Sequence, residues 1–217
     1  MTTWTEHVSR WKDCTACSLH QQRDRICLAR GMVPCDVLFV GEAPGASEDA
    51  IGQPFVGPAG KLLDQIIERS LPKLVTCALT NLVCCYPREA KAERVNEPER
   101  EEVLACRPRL VEFVNVARPG LIVCVGSLAR RYVEEAEGVR SIDIVHPAAI
   151  LRMPMAQKQM AVQKSIVTIR NAVEDVLQSG RPNFTEWGYL NDQRTTRERL
   201  RADYAKYNTT EDPDIPF

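Results

Sequence analysis

No stretch of this chain approaches the eighteen or so consecutive apolar residues that a membrane-spanning helix needs, so a membrane role is not expected. The opening residues, Met1-Thr2-Thr3-Trp4-Thr5-Glu6-His7, lack the apolar core of an export signal, and a cytoplasmic protein is expected. An excess of one charge is also missing. Lys and Arg number 28 against 29 Asp and Glu, and a net charge of -1 says little about partners because a neutral total can hide a basic groove. There is no internal repeat. Ala59-Gly60-Lys61 suggests a phosphate loop but lacks the full G-x-x-x-x-G-K-[ST] pattern, which argues against nucleotide hydrolysis. What the chain does have is cysteine, nine in all, with no export signal before them. In a reducing compartment such residues are more often metal ligands or core residues than disulfides.

The 217 residues, 44% of them apolar, allow one domain with a sizeable core plus an appendage. Short apolar runs alternate with helical patterns. Asp36–Gly41, Cys77–Val83 and Leu121–Gly126 read as buried strands, and Ser141–His146 alternates as a fourth. Ala59–Arg69 places Leu62, Leu63, Ile66 and Ile67 on one helical face. A helix opens at Pro98, with acids in its first turn, and runs through Cys106 toward Val116, with a kink or break expected at Pro108. Ser127 is expected to cap a helix reaching Glu137, and Ala161–Leu177 reads as the last helix. The alternation predicts an α/β fold, a three-layer α/β/α arrangement around a central, mostly parallel, four-stranded sheet. Residues 1–180 form this domain. Residues 181–217 are a charged tail too poor in apolar residues for a core of its own, and they end in an acidic, aromatic tip.

Four cysteines stand in suggestive places. Cys14 and Cys17 form a C-x2-C pair, while Cys85 and Cys106 lie far downstream, each two residues before a proline. Four thiolates suit an iron–sulfur cluster, but they equally make a structural zinc site, and spacing does not choose between them. Cys84 adjoins Cys85 and competes for the ligand role. On an extended segment only one of the two can face a shared site. Cys77 and Cys124 fall in strand-like runs and read as core.

Between the cysteines lie Gly41-Glu42-Ala43-Pro44-Gly45 and Pro54-Phe55-Val56-Gly57, the latter followed by Ala59-Gly60-Lys61-Leu62-Leu63-Asp64. Thr80-Asn81-Leu82-Val83, Cys106-Arg107-Pro108 and His146-Pro147-Ala148-Ala149 follow in order. Singly, Glu42 reads as a turn residue, Phe55 as core, Asn81 as a cap and His146 as a strand end. Together, over about residues 10–178, they resemble the family 4 uracil-DNA glycosylases, the iron–sulfur branch of their superfamily. The resemblance implies a [4Fe–4S] cluster on Cys14, Cys17, Cys85 and Cys106. It also implies hydrolysis of the N-glycosidic bond of deoxyuridine in DNA, leaving an abasic site. In that pattern Gly41 and Phe55 shape the base pocket, Phe55 stacks on uracil, and Asn81 reads its edge. His146 stabilises the departing base, and Glu42 positions water or stabilises the sugar cation.

These roles make chemical sense. A base must leave the helix stack before its glycosidic bond is reached. An aromatic plate restores lost stacking, worth ~1–3 kcal/mol per base. An amide offers the donor and acceptor that complement uracil O4 and N3–H, and cytosine presents the reverse. No lysine is singled out for a Schiff base, so no lyase step is expected. A non-catalytic adaptor of the same fold, or a glycosylase for another altered base, is the competing expectation. The segment Arg88–Asn96 lengthens the Cys85–Cys106 spacing relative to the family. The tail lies outside the resemblance. Its tip, Asp212-Pro213-Asp214-Ile215-Pro216-Phe217, resembles the acidic tip of bacterial single-strand DNA-binding proteins, which implies docking to replication or repair proteins that read such tips. A monomer that binds uracil-containing DNA is the expected state.

Overall fold

A computed structural model describes residues 2–88, 97–133 and 139–179. Its strands are β1 (Arg30–Gly31), β2 (Val37–Gly41), β3 (Cys77–Asn81), β4 (Leu121–Val125) and β5 (Arg140–Ile144). They form one sheet in the order β1-β3-β2-β4-β5. The last four run parallel, as the sequence predicts. A fifth strand is added: the two residues of β1 pair antiparallel with β3 at the edge. So short a strand leaves no periodic signal. Gly31 allows it, because at φ 101 a side chain here would collide with the Cys77 carbonyl.

Every residue of β2 and β4 is buried, as expected for strands covered on both faces. Alternation sends Val37 and Phe39 to one side and Leu38 and Val40 to the other. The first side packs on α3 (Pro58–Ser70), α6 (Pro147–Leu151) and α7 (Met155–Gln178), through Leu63, Ile66, Ile150, Ile166 and Ile169. The second packs on α4 (Arg100–Ala117) and α5 (Ser127–Tyr132), through Val103, Leu110, Phe113 and Leu128. This is the three-layer arrangement.

Several local expectations shift. Helix α4 continues through Pro108 without a break. Proline removes one N–H, and burial of Val103, Leu110 and Phe113 against the sheet keeps the residues on both sides of it helical. Gly126, not Ser127, caps α5; its φ of 97 makes the tight exit from β4, and Ser127 is the first helical residue. The helix is shorter than expected, ending at Tyr132 with Val133 extended, and residues 134–137 of the expected helix lie outside the described residues. Helix α7 begins six residues earlier than expected, directly after Pro154, on an exposed turn without apolar periodicity. Three short helices carried too weak a pattern to be read: α1 (Trp4–Trp11), α2 (Ala46–Ile51) and α6. Thr3 and Glu6 close a capping box on α1. Glu112 of α4 then anchors α1 by accepting from Trp11 Nε1 at 3.0 Å and meeting His7 Nδ1 at 2.9 Å. The charged tail and its tip lie outside the described residues.

Candidate active site

Parallel sheets present the C-terminal ends of their strands to ligands. Gly41 ends β2 and Asn81 ends β3, and the two stand directly side by side. A Cβ on Gly41 would collide with the Phe55 ring and lie 2.5 Å from Asn81 Oδ1. Glycine is therefore required here by space, and the structure brings Gly41, the Phe55 ring and the Asn81 side chain together.

Phe55 sits on a constrained loop. Its φ is 57, unusual for an aromatic residue, and it is buried. Surrounding groups hold it. Arg30 donates to the carbonyls of Pro54 at 2.8 Å and Phe55 at 3.0 Å. Glu48 of α2 accepts from Val56 N at 2.9 Å and Gly57 N at 2.7 Å with one oxygen, and from Gly45 N at 3.1 Å with the other. Gly60 leaves room behind, since a Cβ there would overlap the Phe55 carbonyl.

Asn81 is 1% exposed, and its Oδ1 is buried with no hydrogen-bond partner. A buried acceptor left unpaired is costly unless a ligand pairs it. Its backbone is fixed on one flank by Leu82 N donating to the Gly41 carbonyl at 2.9 Å and Val83 N donating to that of Glu42 at 3.2 Å. Glu42 itself, half-buried just past β2, has its carboxyl pushed up to about 7, first by burial and then by the charge of Glu97.

His146 lies two residues beyond β5 and caps α6 rather than ending a strand. Its Nδ1 accepts from Ala148 N at 3.1 Å, so the neutral ring carries its proton on Nε2. Burial and then Arg152 lower its pKa, favouring that neutral form. Gly126 lies against the ring, with a Cβ there only 3.2 Å from the His146 Cβ.

The four expected cysteine ligands also come together. Cys14, Cys17, Cys85 and Cys106 line one cavity with Cys84, Arg23, His20 and Arg109. Arg23 Nη1 donates to Cys85 Sγ at 3.1 Å, and Arg109 Nη2 lies 3.8 Å from Cys106 Sγ. Cys106 is pulled down to about 5, first by the hydrogen bond from Cys84 and further by Arg109, against its burial. Cys84 is fully buried with its pKa raised, chiefly by desolvation, and its Sγ also lies 3.7 Å from the Leu28 carbonyl. Both neighbours, Cys84 and Cys85, line the cavity, so the expectation of opposite faces does not hold. That expectation needs an extended strand, and β3 has already ended at Asn81; the irregular backbone that follows re-aims the pair. Cys27, Cys35 and Cys124 are core residues, and Cys77 is half-buried beside the core.

Residues 30–170 match the model of the uracil DNA glycosylase superfamily. The chain belongs to this superfamily. It is similar to the type-4 uracil-DNA glycosylase of Pyrobaculum aerophilum, 33% identical over 165 residues, which is 66% of this chain and 82% of the relative. The type-4 enzyme of Archaeoglobus fulgidus is 32% identical over 168 residues, 67% of this chain and 82% of the relative. That of Thermotoga maritima is 31% identical over 159 residues, covering 66% and 80%.

Within this superfamily fold, sequence reasoning missed the residues that hold the site rather than form it. Arg30, Glu48 and Arg109 act on backbone groups distant in sequence. Glu48 left a trace: it stands three residues after Gly45 at a helix start, the position from which a glutamate closes a capping box. Arg109 left none, because an arginine in an amphipathic helix reads as a surface charge.

Proposed function

We propose that this member of the superfamily excises uracil from DNA by hydrolysing the N-glycosidic bond, and that Gly41, Phe55, Asn81, Glu42 and His146 carry the reaction. The single observation that supports it most is the unpaired Asn81 Oδ1, buried against Phe55 in the space that Gly41 leaves open. Uracil flipped from the duplex or taken from a single strand offers N3–H to that oxygen, and the amide NH2 meets O4. Cytosine presents an acceptor at N3 and an amino group at position 4, so it mismatches both. Phe55 supplies the stacking plate. His146 Nε2–H donates to uracil O2 as negative charge builds on the leaving base. Glu42, as carboxylate, stabilises the cationic sugar or orients the attacking water.

Cys14, Cys17, Cys85 and Cys106 hold a [4Fe–4S] cluster in this reading. The donor set fits: four thiol groups around one cavity, with N–H groups of Arg23 and Arg109 aimed at sulfur. Among the described residues, no three potential ligands converge as a single metal ion requires. Bound there, the cluster supplies cross-links between three chain segments and no part of the bond cleavage. For the tail, the reading is that Asp212–Phe217 docks on partners that recognise an acidic, aromatic peptide. Deleting Phe217 then abolishes capture of such a partner and leaves excision on naked DNA unchanged.

The deciding experiment incubates anaerobically purified protein with single- and double-stranded oligonucleotides containing one uracil. Release of free uracil and an alkali-labile abasic site is the expected result. Tight DNA binding with no release would replace the enzyme by an adaptor of the same fold.

A further inference from the structure

Buried Arg109 lines the cysteine cavity and also bonds the main chain of Asn81. Arg109 projects from α4, one turn after Cys106, and is 1% exposed. Its Nη1 donates to Thr80 Oγ1 at 2.9 Å. Its Nη2 donates to the Asn81 carbonyl at 2.6 Å and the Leu82 carbonyl at 3.0 Å, and lies 3.8 Å from Cys106 Sγ. Thr80 passes the contact on, donating to the Leu28 carbonyl at 2.7 Å. None of these hydrogen bonds of Arg109 goes to a carboxylate.

Arg109 thereby bears on base reading. β2 fixes the Asn81–Val83 segment from one flank through main-chain bonds. Arg109 fixes it from the other, at the carbonyl of the reading residue itself. Only a planar fork reaches three acceptors on one segment in fixed directions; a lysine ammonium is a point charge that cannot. An amide whose backbone drifts loses its match to a rigid base, and misplacements of about 1 Å are enough to cost on the order of a hundredfold in enzyme sites.

We propose that Arg109 is a positioning residue for uracil recognition, clamping the Asn81 main chain to the helix that carries Cys106. The clamp makes the cysteine cavity and the base pocket one mechanical unit. The inference rests on the reading of Asn81 as the uracil-reading residue.

The test uses the full chain purified anaerobically, as wild type, Arg109→Lys, Thr80→Val and Asn81→Asp. Iron per chain is measured for each, with the inhibition constant of free uracil against excision from a single-stranded oligonucleotide. Values are expressed per iron-loaded molecule. For Arg109→Lys the expected result is a rise of about tenfold or more in both the uracil constant and KM. Its affinity for uracil-free DNA is expected to be unchanged. Thr80→Val, which keeps Arg109 but removes one of its acceptors, gives a smaller rise in the same direction. A merely structural role predicts less iron-loaded protein with an unchanged uracil constant per loaded molecule, and that result overturns the proposal. If Arg109→Lys yields no loaded protein, Thr80→Val decides alone, and an unchanged constant there is equally fatal. Asn81→Asp separates the two readings. Should it too leave the uracil constant unchanged, the base-pocket reading fails, whatever Arg109 does.

Discussion

Glu42 shows how burial tunes a single residue. Its carboxyl is raised from 4.5 to about 7, mainly because desolvation penalises the charged form. A group that works as a carboxylate then gains activity as pH rises through about 7, and a single-turnover profile of excision should show that limb. Glu42→Gln should be slow and flat across it. Stability has the opposite sign. The folded state keeps a proton that the unfolded chain releases near 4.5, so stability falls as pH rises from there through about 7. Denaturant unfolding at about pH 5 and about pH 8 should show a smaller loss in Glu42→Gln than in wild type. His146 works at the same scale with a different device. The Ala148 N–H occupies Nδ1, which puts the proton of the neutral ring on Nε2, the atom that donates to the leaving base in the proposed mechanism. His146→Ala should slow cleavage by about 10²–10³, or ~3–4 kcal/mol, while weakening DNA binding less. A wild-type single-turnover rate would remove the residue from the mechanism.

At the scale of elements, the proposed base site is a matter of loops held at the C-terminal ends of the interior strands β2 and β3. β2 and β3 were legible as apolar runs ending at Gly41 and near Asn81, and their parallel pairing sets those two residues abreast. The Phe55 loop was legible only through its resemblance to a family motif. No periodicity announces a phenylalanine at φ 57, and none announces the carboxylate of Glu48 that gathers Gly45, Val56 and Gly57 around it. Such contacts are made across loops, where local pattern carries no information about partners. The loop is also tightly bounded. Gly60→Ala would drive a methyl into the Phe55 carbonyl, which is backbone and cannot swing aside. The expected outcome is displacement of the Phe55 loop. It should be read as a lower melting temperature together with loss of productive capture of uracil-containing DNA, at unchanged iron content. Unchanged capture would mean that Phe55 serves the core alone.

For the whole molecule, the cysteine cavity does what no local element can. It joins the segment after α1, the loop after β3 and helix α4, drawing together Cys14 and Cys106 across the intervening sheet strands. The four cysteines were visible in the sequence, but their convergence was not, nor was the sharing of the cavity by Cys84 and Cys85. The two neighbours differ in what surrounds their sulfur. Cys85 receives a hydrogen bond from Arg23 at 3.1 Å, the kind of donor that supports a thiolate bound to metal. Cys84 is fully buried, and its Sγ lies 3.7 Å from the Leu28 carbonyl with no arginine hydrogen bond among those of the described residues. The Arg23 contact therefore favours Cys85 over Cys84 as the ligand. Protein purified anaerobically should therefore be brown and carry about four irons, the content of one [4Fe–4S] cluster. Cys85→Ala should strip the iron, as should Cys14→Ala and Cys106→Ala, and each should lose solubility because three segments are no longer cross-linked. Cys84→Ala should keep its iron. Loss of iron from Cys84→Ala with retention in Cys85→Ala would move the ligand by one residue, and stoichiometric zinc without iron in the wild type would remove the cluster altogether.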